Sequence, residues 1–271
     1  MKYKLLAADM DATALNSKKD LTPRTVHAME KAIEQGKIVC FSTGRSLSLV
    51  QPYIDMVRGM RYAVTCAGGS VLDTYTGEHF LFKTIDPETV KHIIAAAAGY
   101  VMPVIYIDDT AYTSAWCIDS CDDFGVKEFE PIYRIAIKVV DDAFAAFMQD
   151  PHPVTKLNLL FASDGEADEV YEKIKTLPIT FTNRGPRGLE INASGVSKAV
   201  GLEALCAKLG IDMSETIAIG DSLNDIEMLS SAGLNIAVEN AKDKVKSIAN
   251  VIVPDCDHDG VAYAIEQYLL D

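Results

Sequence analysis

Basic residues are scarce in this chain: 25 lysines and arginines stand against 39 acids, a formal net charge of −14. A phosphate backbone needs a basic surface, so nucleic acid is excluded as a general partner. No apolar run approaches the eighteen or so residues of a membrane span. The first strand is too short for a signal-peptide core, so neither a membrane nor secretion is expected. Histidines number only 5, and the 6 cysteines are scattered. Cys117 and Cys121 make one close pair, but no second pair or histidine cluster completes a zinc site. The cysteines read as reduced, small core residues of a cytoplasmic protein. Repeats and low-complexity tracts are absent. What remains is 271 residues, 49% of them hydrophobic, enough for a sizeable core and more than one domain.

The most informative stretch is Leu5-Leu6-Ala7-Ala8, which ends in Asp9 and Asp11. A short aliphatic run stopping in carboxylates reads as a buried parallel strand that delivers acids to its C-terminal edge. Ligands bind at that edge in open α/β sheets. Residues i and i+2 of a strand share a side, with α-carbons roughly 6.5 Å apart, so both acids can serve one reacting centre. Taken alone, the pair also fits two solvated acids in a turn.

The N-terminal third alternates strand and helix. Thr22 caps a helix with Pro23 at its first position, Gly36 ends it, and Lys37–Phe41 forms the next buried strand. A helix over Ser46–Met56 and a strand over Tyr62–Thr65 complete a βαβαβ pattern, which implies a parallel sheet. The C-terminal third repeats it: a helix over Ser197–Leu209, a strand over Thr216–Ile219, a helix over Asp225–Ala232, strands at Ile236–Val238 and Val251–Val253, and a last helix from Gly260 to Leu270. Between them the strands look half exposed, as in Arg134–Lys138 and Lys156–Leu160, with helices near Pro87–Ala98, Asp141–Gln149 and Asp164–Thr176. That texture suits an α+β insertion with helices on one face of an antiparallel sheet.

Three further motifs fall at strand ends of the outer thirds. Ser42-Thr43-Gly44-Arg45 offers a hydroxyl, a glycine amide and a helix N-terminus, which suit a phosphate oxygen and equally an ordinary helix cap. Lys198 opens a helix after Gly195-Val196-Ser197, where the helix dipole disfavours a cation. An anion held between the lysine and the helix explains it, although a solvated lysine is the plainer reading. In Gly220-Asp221-Ser222-Leu223-Asn224-Asp225 an acid leaves a buried strand, with an amide and a second acid three and four residues on. Such hard oxygens suit Mg²⁺, though helix-capping acids look similar.

Taken in order, D-x-D-x-T, a Ser/Thr at the second strand end, Lys198 and G-D-x-x-N-D resemble the haloacid dehalogenase-like phosphatase superfamily, and within it the Cof-type sugar-phosphate phosphatases. The resemblance extends over essentially the whole chain. It includes Leu189-Glu190-Ile191, Asn235–Ala241 and Asp259-Gly260-Val261-Ala262. It implies an α/β fold: a Rossmann-like parallel-sheet core domain over 1–83 and 188–271, with an inserted α+β cap domain over 84–187. It further implies Mg²⁺-dependent hydrolysis of a small phosphorylated metabolite, a sugar phosphate foremost, by a monomer or weak homodimer. Asp9 would be the nucleophile that forms an aspartyl-phosphate, and Asp11 the general acid and base. Asp9, the backbone carbonyl of Asp11, Asp221 and Asp225 would hold the metal. Thr43, Lys198, Asn224 and the amides of Gly44 and Met10 would surround the phosphoryl oxygens. A phosphosugar mutase of the same superfamily, or a non-catalytic phosphosugar-binding sensor, are the alternatives. The chain departs from the family pattern at Ala12 and Ala14, where glycine and leucine are usual, and at Cys66-Ala67-Gly68-Gly69, where Asn-Gly is usual. Asp108, Asp109, Tyr112, Trp116, Arg184 and Arg187 are candidates in the insertion for selecting the substrate.

Overall fold

Each short aliphatic run in the outer thirds of the chain becomes a buried strand. A computed structural model describes residues 2–97, 99 and 101–270. The chain begins β1 (Leu5–Ala8), α1 (Pro23–Glu34), β2 (Ile38–Ser42), α2 (Leu47–Ile54), β3 (Tyr62–Thr65), β4 (Ser70–Asp73) and β5 (His79–Phe82). It continues α3 (Pro87–Ala96), β6 (Val101–Ile107), β7 (Thr110–Ser114), α4 (Ala115–Asp119), α5 (Glu130–Ala136), β8 (Ile137–Val140), α6 (Ala143–Gln149), β9 (Lys156–Phe161), α7 (Asp164–Ile174), β10 (Ile179–Gly185) and β11 (Gly188–Ala193). It closes with α8 (Lys198–Leu209), β12 (Thr216–Gly220), α9 (Ile226–Ser231), β13 (Leu234–Val238), α10 (Asp243–Lys246), β14 (Val251–Val253) and α11 (Gly260–Ala264). The expected end of the third helix at residue 98 lies outside the described residues.

Two units result: Met1–Arg45 with Val50–Leu81 and Ser197–Asp271, and Ser46–Leu49 with Phe82–Val196. The first holds a sheet of order β14-β13-β12-β1-β2-β3-β4-β5. Its pairs from β14 to β3 are parallel. All four residues of β1 are buried, as a strand covered on both faces requires. Thr22 accepts a hydrogen bond from the Thr25 amide and Pro23 opens α1; Ser197 caps α8, and Gly210, at φ +66°, ends it. The edge made by β4, antiparallel to β3, with β5 beside it, is not among the elements expected from sequence.

In the second unit the sheet runs β10-β11-β9-β6-β7-β8, antiparallel except where β8 lies parallel to β7. Val90 and Ile93 of α3, Phe147 of α6 and Val170 of α7 form one core with Ile105, Leu157, Leu159, Leu189 and Ile191. The residues interleaved with these strand positions, among them Tyr106, Lys156, Asn158 and Glu190, stand on the other face. β11 pairs with β9 and β10, so the return boundary falls after Val196 and not at the expected 187/188. A second correction concerns Arg134–Lys138. Three apolar residues between two cations read as a half-exposed strand, yet residues up to Ala136 belong to α5. Pro131 sits in the first turn of that helix, Ile132 and Tyr133 are buried, and Glu130 pairs with Arg134 at 2.7 Å across one turn. Ile135 is left 75% exposed.

Candidate active site

Strand ends β1, β2 and β12 and the first turn of α8 supply the residues singled out from sequence. Asp9 follows β1 directly, its amide donating to the Ile219 carbonyl of β12 at 2.9 Å. Its carboxylate meets those of Asp221 and Asp225: one oxygen of each lies within 4.8 Å of the others. Lys198 is 1% exposed. Its Nζ donates to Asp9 Oδ1 at 2.6 Å and to Asp225 Oδ1 at 2.7 Å. The anion expected beside this helix-start lysine is therefore a pair of buried carboxylates.

The turn after β12 is built around Asp225. Its Oδ2 accepts from the amides of Asp221 (3.1 Å) and Ser222 (2.9 Å). That return requires glycine at 220, because a Cβ there would lie 2.5 Å from Asp225 Cγ. With both oxygens engaged, Asp225 fixes Lys198 and the turn. Asp221 accepts from Thr13 Oγ1 at 2.9 Å and from Ser222 Oγ at 3.0 Å. Asn224 Oδ1, next in the turn, is buried with no hydrogen-bond partner. Thr43 is buried at the end of β2, its Oγ1 accepting from the Arg45 amide at 3.2 Å, and Gly44 follows it.

Asp11 is held apart from this cluster by two cations. Arg45 donates from Nε to Oδ2 (2.9 Å) and from Nη2 to Oδ1 (2.7 Å), and Lys19 Nζ donates to Oδ1 at 3.0 Å. Neither cation was assigned a role from sequence. Arg45 stood in a quoted motif without one. Lys19 lies in a loop at φ +63° and gives no sequence signal. Thr13 and Asn240 were missed likewise; Asn240 Nδ2 donates to the Ala12 carbonyl at 2.7 Å and so braces the turn after β1.

Burial raises the Asp9 pKa; Lys198 pulls it back, Asp225 and Asp221 push it up again, and the net value stands well above the usual carboxylate range. Asp221 is raised too, by burial and then by Asp225. Burial opposes the charge on Lys198, but Asp225 and Asp9 outweigh it and its pKa rises. For Asp11, burial pushes up and the hydrogen bonds and charge of Arg45 and Lys19 prevail, so its pKa is lowered. Were all three carboxylates ionised against the one ammonium, the cluster would carry two excess negative charges, the state that burial disfavours in the metal-free protein. A divalent cation of hard-oxygen preference would match these carboxylates, and Asn224 Oδ1 in the same turn is a buried oxygen without a hydrogen-bond partner.

The residues that depart from the family pattern lie on left-handed backbone. Ala12 has φ +57°, Cys66 φ +50° and Ala67 φ +57°. L-residues other than glycine, asparagine and aspartate rarely adopt this region. Ala12→Gly is expected to raise the unfolding free energy by about 0.5–1 kcal/mol, read as a higher urea midpoint at unchanged m-value.

In the second unit, Arg184 pairs with Asp168 at 2.5 Å and stacks 3.9 Å over the Tyr171 ring. Arg187 donates to the carbonyls of Phe161 and Asp123. Both arginines thus serve the insert's own structure. Asp108 and Asp109, at φ +45° and +61°, make the two-residue turn between β6 and β7. Tyr112 lies on β7, and Trp116 on α4 is partly exposed.

A family model described as haloacid dehalogenase-like hydrolase matches residues 6–265. A Bacillus subtilis protein named 5-amino-6-(5-phospho-D-ribitylamino)uracil phosphatase is 28% identical over 268 residues, covering 98% of this chain and 96% of that protein. The crystal structure of a haloacid dehalogenase-like hydrolase from Bacteroides thetaiotaomicron superposes with a TM-score of 0.85 at 28% identity, covering 98% of this chain and 99% of that one. A structure described as a subclass IIB sugar phosphatase superposes with a TM-score of 0.80 at 22% identity, covering 98% of each chain.

Proposed function

Given that the chain belongs to the haloacid dehalogenase-like hydrolase family, we propose that it is a Mg²⁺-dependent phosphatase of small phosphorylated metabolites, foremost sugar or polyol phosphates, acting through an aspartyl-phosphate on Asp9. The observation that carries this reading is the convergence of Asp9, Lys198, Asp221 and Asp225 at one buried point, 8% exposed or less. A divalent cation held by Asp9, Asp221 and Asp225 with the Asp11 carbonyl supplies the charge neutralisation that lets a carboxylate approach an anionic phosphoryl group.

Lys198 holds Asp9 Oδ1 and so presents Oδ2 for attack. The Asp9–phosphorus bond forms as the bond to the alcohol oxygen breaks, and Asp11, which must first take up a proton against the pull of Arg45 and Lys19 as the anionic substrate binds, gives that proton to the departing alkoxide. Asp11, now ionised, takes a proton from the water that cleaves the acyl phosphate. Thr43, Lys198, Asn224 and the amides of Met10 and Gly44 orient the phosphoryl oxygens.

A sugar or polyol leaving group is supported by the Bacillus relative, whose name specifies a phosphoribityl compound. A reduced, cytoplasmic setting fits six cysteines that are all buried thiols, and among the described residues no helix is long and apolar enough to cross a membrane.

Phosphate release from p-nitrophenyl phosphate and from a panel of sugar phosphates is expected with Mg²⁺ and is lost with chelator. Isomerised sugar phosphate without inorganic phosphate would instead indicate a mutase. Binding without turnover would indicate a sensor.

Metal binding also has a pH signature. Asp9 and Asp221 have raised carboxyl pKa values in the fold, from burial first and then from charged neighbours. The folded, metal-free protein therefore binds protons more tightly there than the unfolded chain does. Their contribution is most favourable below the ordinary carboxylate pKa of about 4 and is lost as pH rises through the raised values. Mg²⁺ relieves that loss. Its effect on the melting temperature is expected to grow from mildly acidic to neutral pH, and Asp221→Asn should flatten the dependence.

A further inference from the structure

The contacts of Arg45 are those of a residue built to aim another. Its side chain is 7% exposed, its guanidinium lies 5.3 Å over the Tyr53 ring, and its backbone is pinned by the Thr43 hydroxyl and by the Cys66 amide, which donates to the Arg45 carbonyl at 2.8 Å. From this fixed position the planar fork takes both oxygens of Asp11 at 2.9 and 2.7 Å. A two-point grip fixes the plane of a carboxylate, which a single ammonium cannot do. Lys19 adds a third donor to Oδ1, and its own carbonyl is held by the Tyr53 hydroxyl at 3.1 Å. Tyr53 thus contacts the Arg45 guanidinium and the Lys19 backbone, tying the two cation-bearing residues together within the first unit.

Resting on the phosphatase reading above, we infer that Arg45 is the positioning residue for Asp11: it sets the orientation from which Asp11 delivers a proton to the departing alcohol, with Lys19 as its auxiliary. Arg45 touches no reacting atom in this role. The bond that breaks is still phosphorus to alcohol oxygen, and the proton still comes from Asp11.

The role predicts a leaving-group dependence. kcat/KM reports the steps up to alcohol release. An alkoxide needs the proton at that stage, and p-nitrophenolate does not. General acid catalysis contributes about 10²–10⁴-fold. Arg45→Lys is expected to lower kcat/KM for an alkyl phosphate by roughly 10–100-fold, as part of that contribution, and for p-nitrophenyl phosphate by no more than about threefold. In an Asp11→Asn background the same substitution should have almost no further effect on the alkyl substrate, because the group it positions is already gone. Lys19→Met should show the same trend at smaller size. That variant, on a more exposed side chain, decides the matter if the Arg45 variant melts below the assay temperature.

A loss equal for all leaving groups, and undiminished in the Asp11→Asn background, would overturn the inference and place Arg45 on the phosphoryl group itself. No change with either substrate would overturn it as well. Wild-type protein inactive on both substrates with Mg²⁺ would instead defeat the phosphatase reading, a failure visible before any variant is made.

Discussion

Asp9→Asn is expected to abolish turnover and leave the fold intact. Removal of a covalent nucleophile costs catalysis on the order of 10⁴-fold or more, and the amide is nearly isosteric with the carboxylate. The fold should tolerate it for an electrostatic reason. The Asp9 pKa is pushed well up by burial, and Asp225 and Asp221 add to that against Lys198, so its charged form is disfavoured in the metal-free protein. The asparagine oxygen can still accept from Lys198. At neutral pH without metal, the variant should melt no lower than wild type, while Mg²⁺ should raise its melting temperature less. Residual kcat within tenfold of wild type would exclude Asp9 as the nucleophile.

Lys198→Met is expected to do damage on both counts. Lys198 lies between Asp9 and Asp225, at 2.6 and 2.7 Å, with all three side chains 9% exposed or less. Removing one member of a buried ion pair leaves the partner charge uncompensated and costs about 3–5 kcal/mol. Asp225 loses the donor to its Oδ1 and keeps only the two amides on Oδ2. Chemical denaturation of the metal-free protein should show the full loss. The double variant Lys198→Met with Asp225→Asn separates the two roles. It removes both charges, so much of the stability should return, and activity should not. Equal stability of the single variant and wild type would mean that the lysine is not the counter-charge the geometry makes it.

Much of the first unit was legible in the sequence because parallel strands announce themselves. Leu5–Ala8 and Thr216–Ile219 are largely aliphatic runs followed closely by acids, the mark of buried strands that end at a sheet edge. The spacing of Gly220, Asp221 and Asp225 was legible for a related reason: a local turn brings these residues together, so few long-range contacts intervene. The pairing of Arg45 and Lys19 with Asp11 was not, since it depends on a left-handed Lys19 and on Tyr53 from another helix. The insert was harder. A short apolar run between two cations at Arg134–Lys138 fits a strand or a helix equally, and Pro131 in the first turn with the Glu130–Arg134 pair decided for helix up to Ala136. Gly188–Ala193, expected in the core domain, goes with the insert because it pairs with β9 and β10, a long-range choice its local sequence does not encode. Ala12 and Ala67 show the limit from the other side: the motif told where glycine is usual, and only the backbone angles told that its absence strains the chain.

The central claim is that Asp9 Oδ2 becomes covalently phosphorylated. The most direct measurement is acid-quenched peptide mapping after mixing the Asp11→Asn variant and Mg²⁺ with phosphorus-labelled p-nitrophenyl phosphate. This leaving group departs without an acid, and the missing base slows hydrolysis, so label should accumulate as an alkali-labile acyl phosphate on the peptide that carries Asp9. Burst release of p-nitrophenol with no label on that peptide, or with label on another residue, would contradict the account.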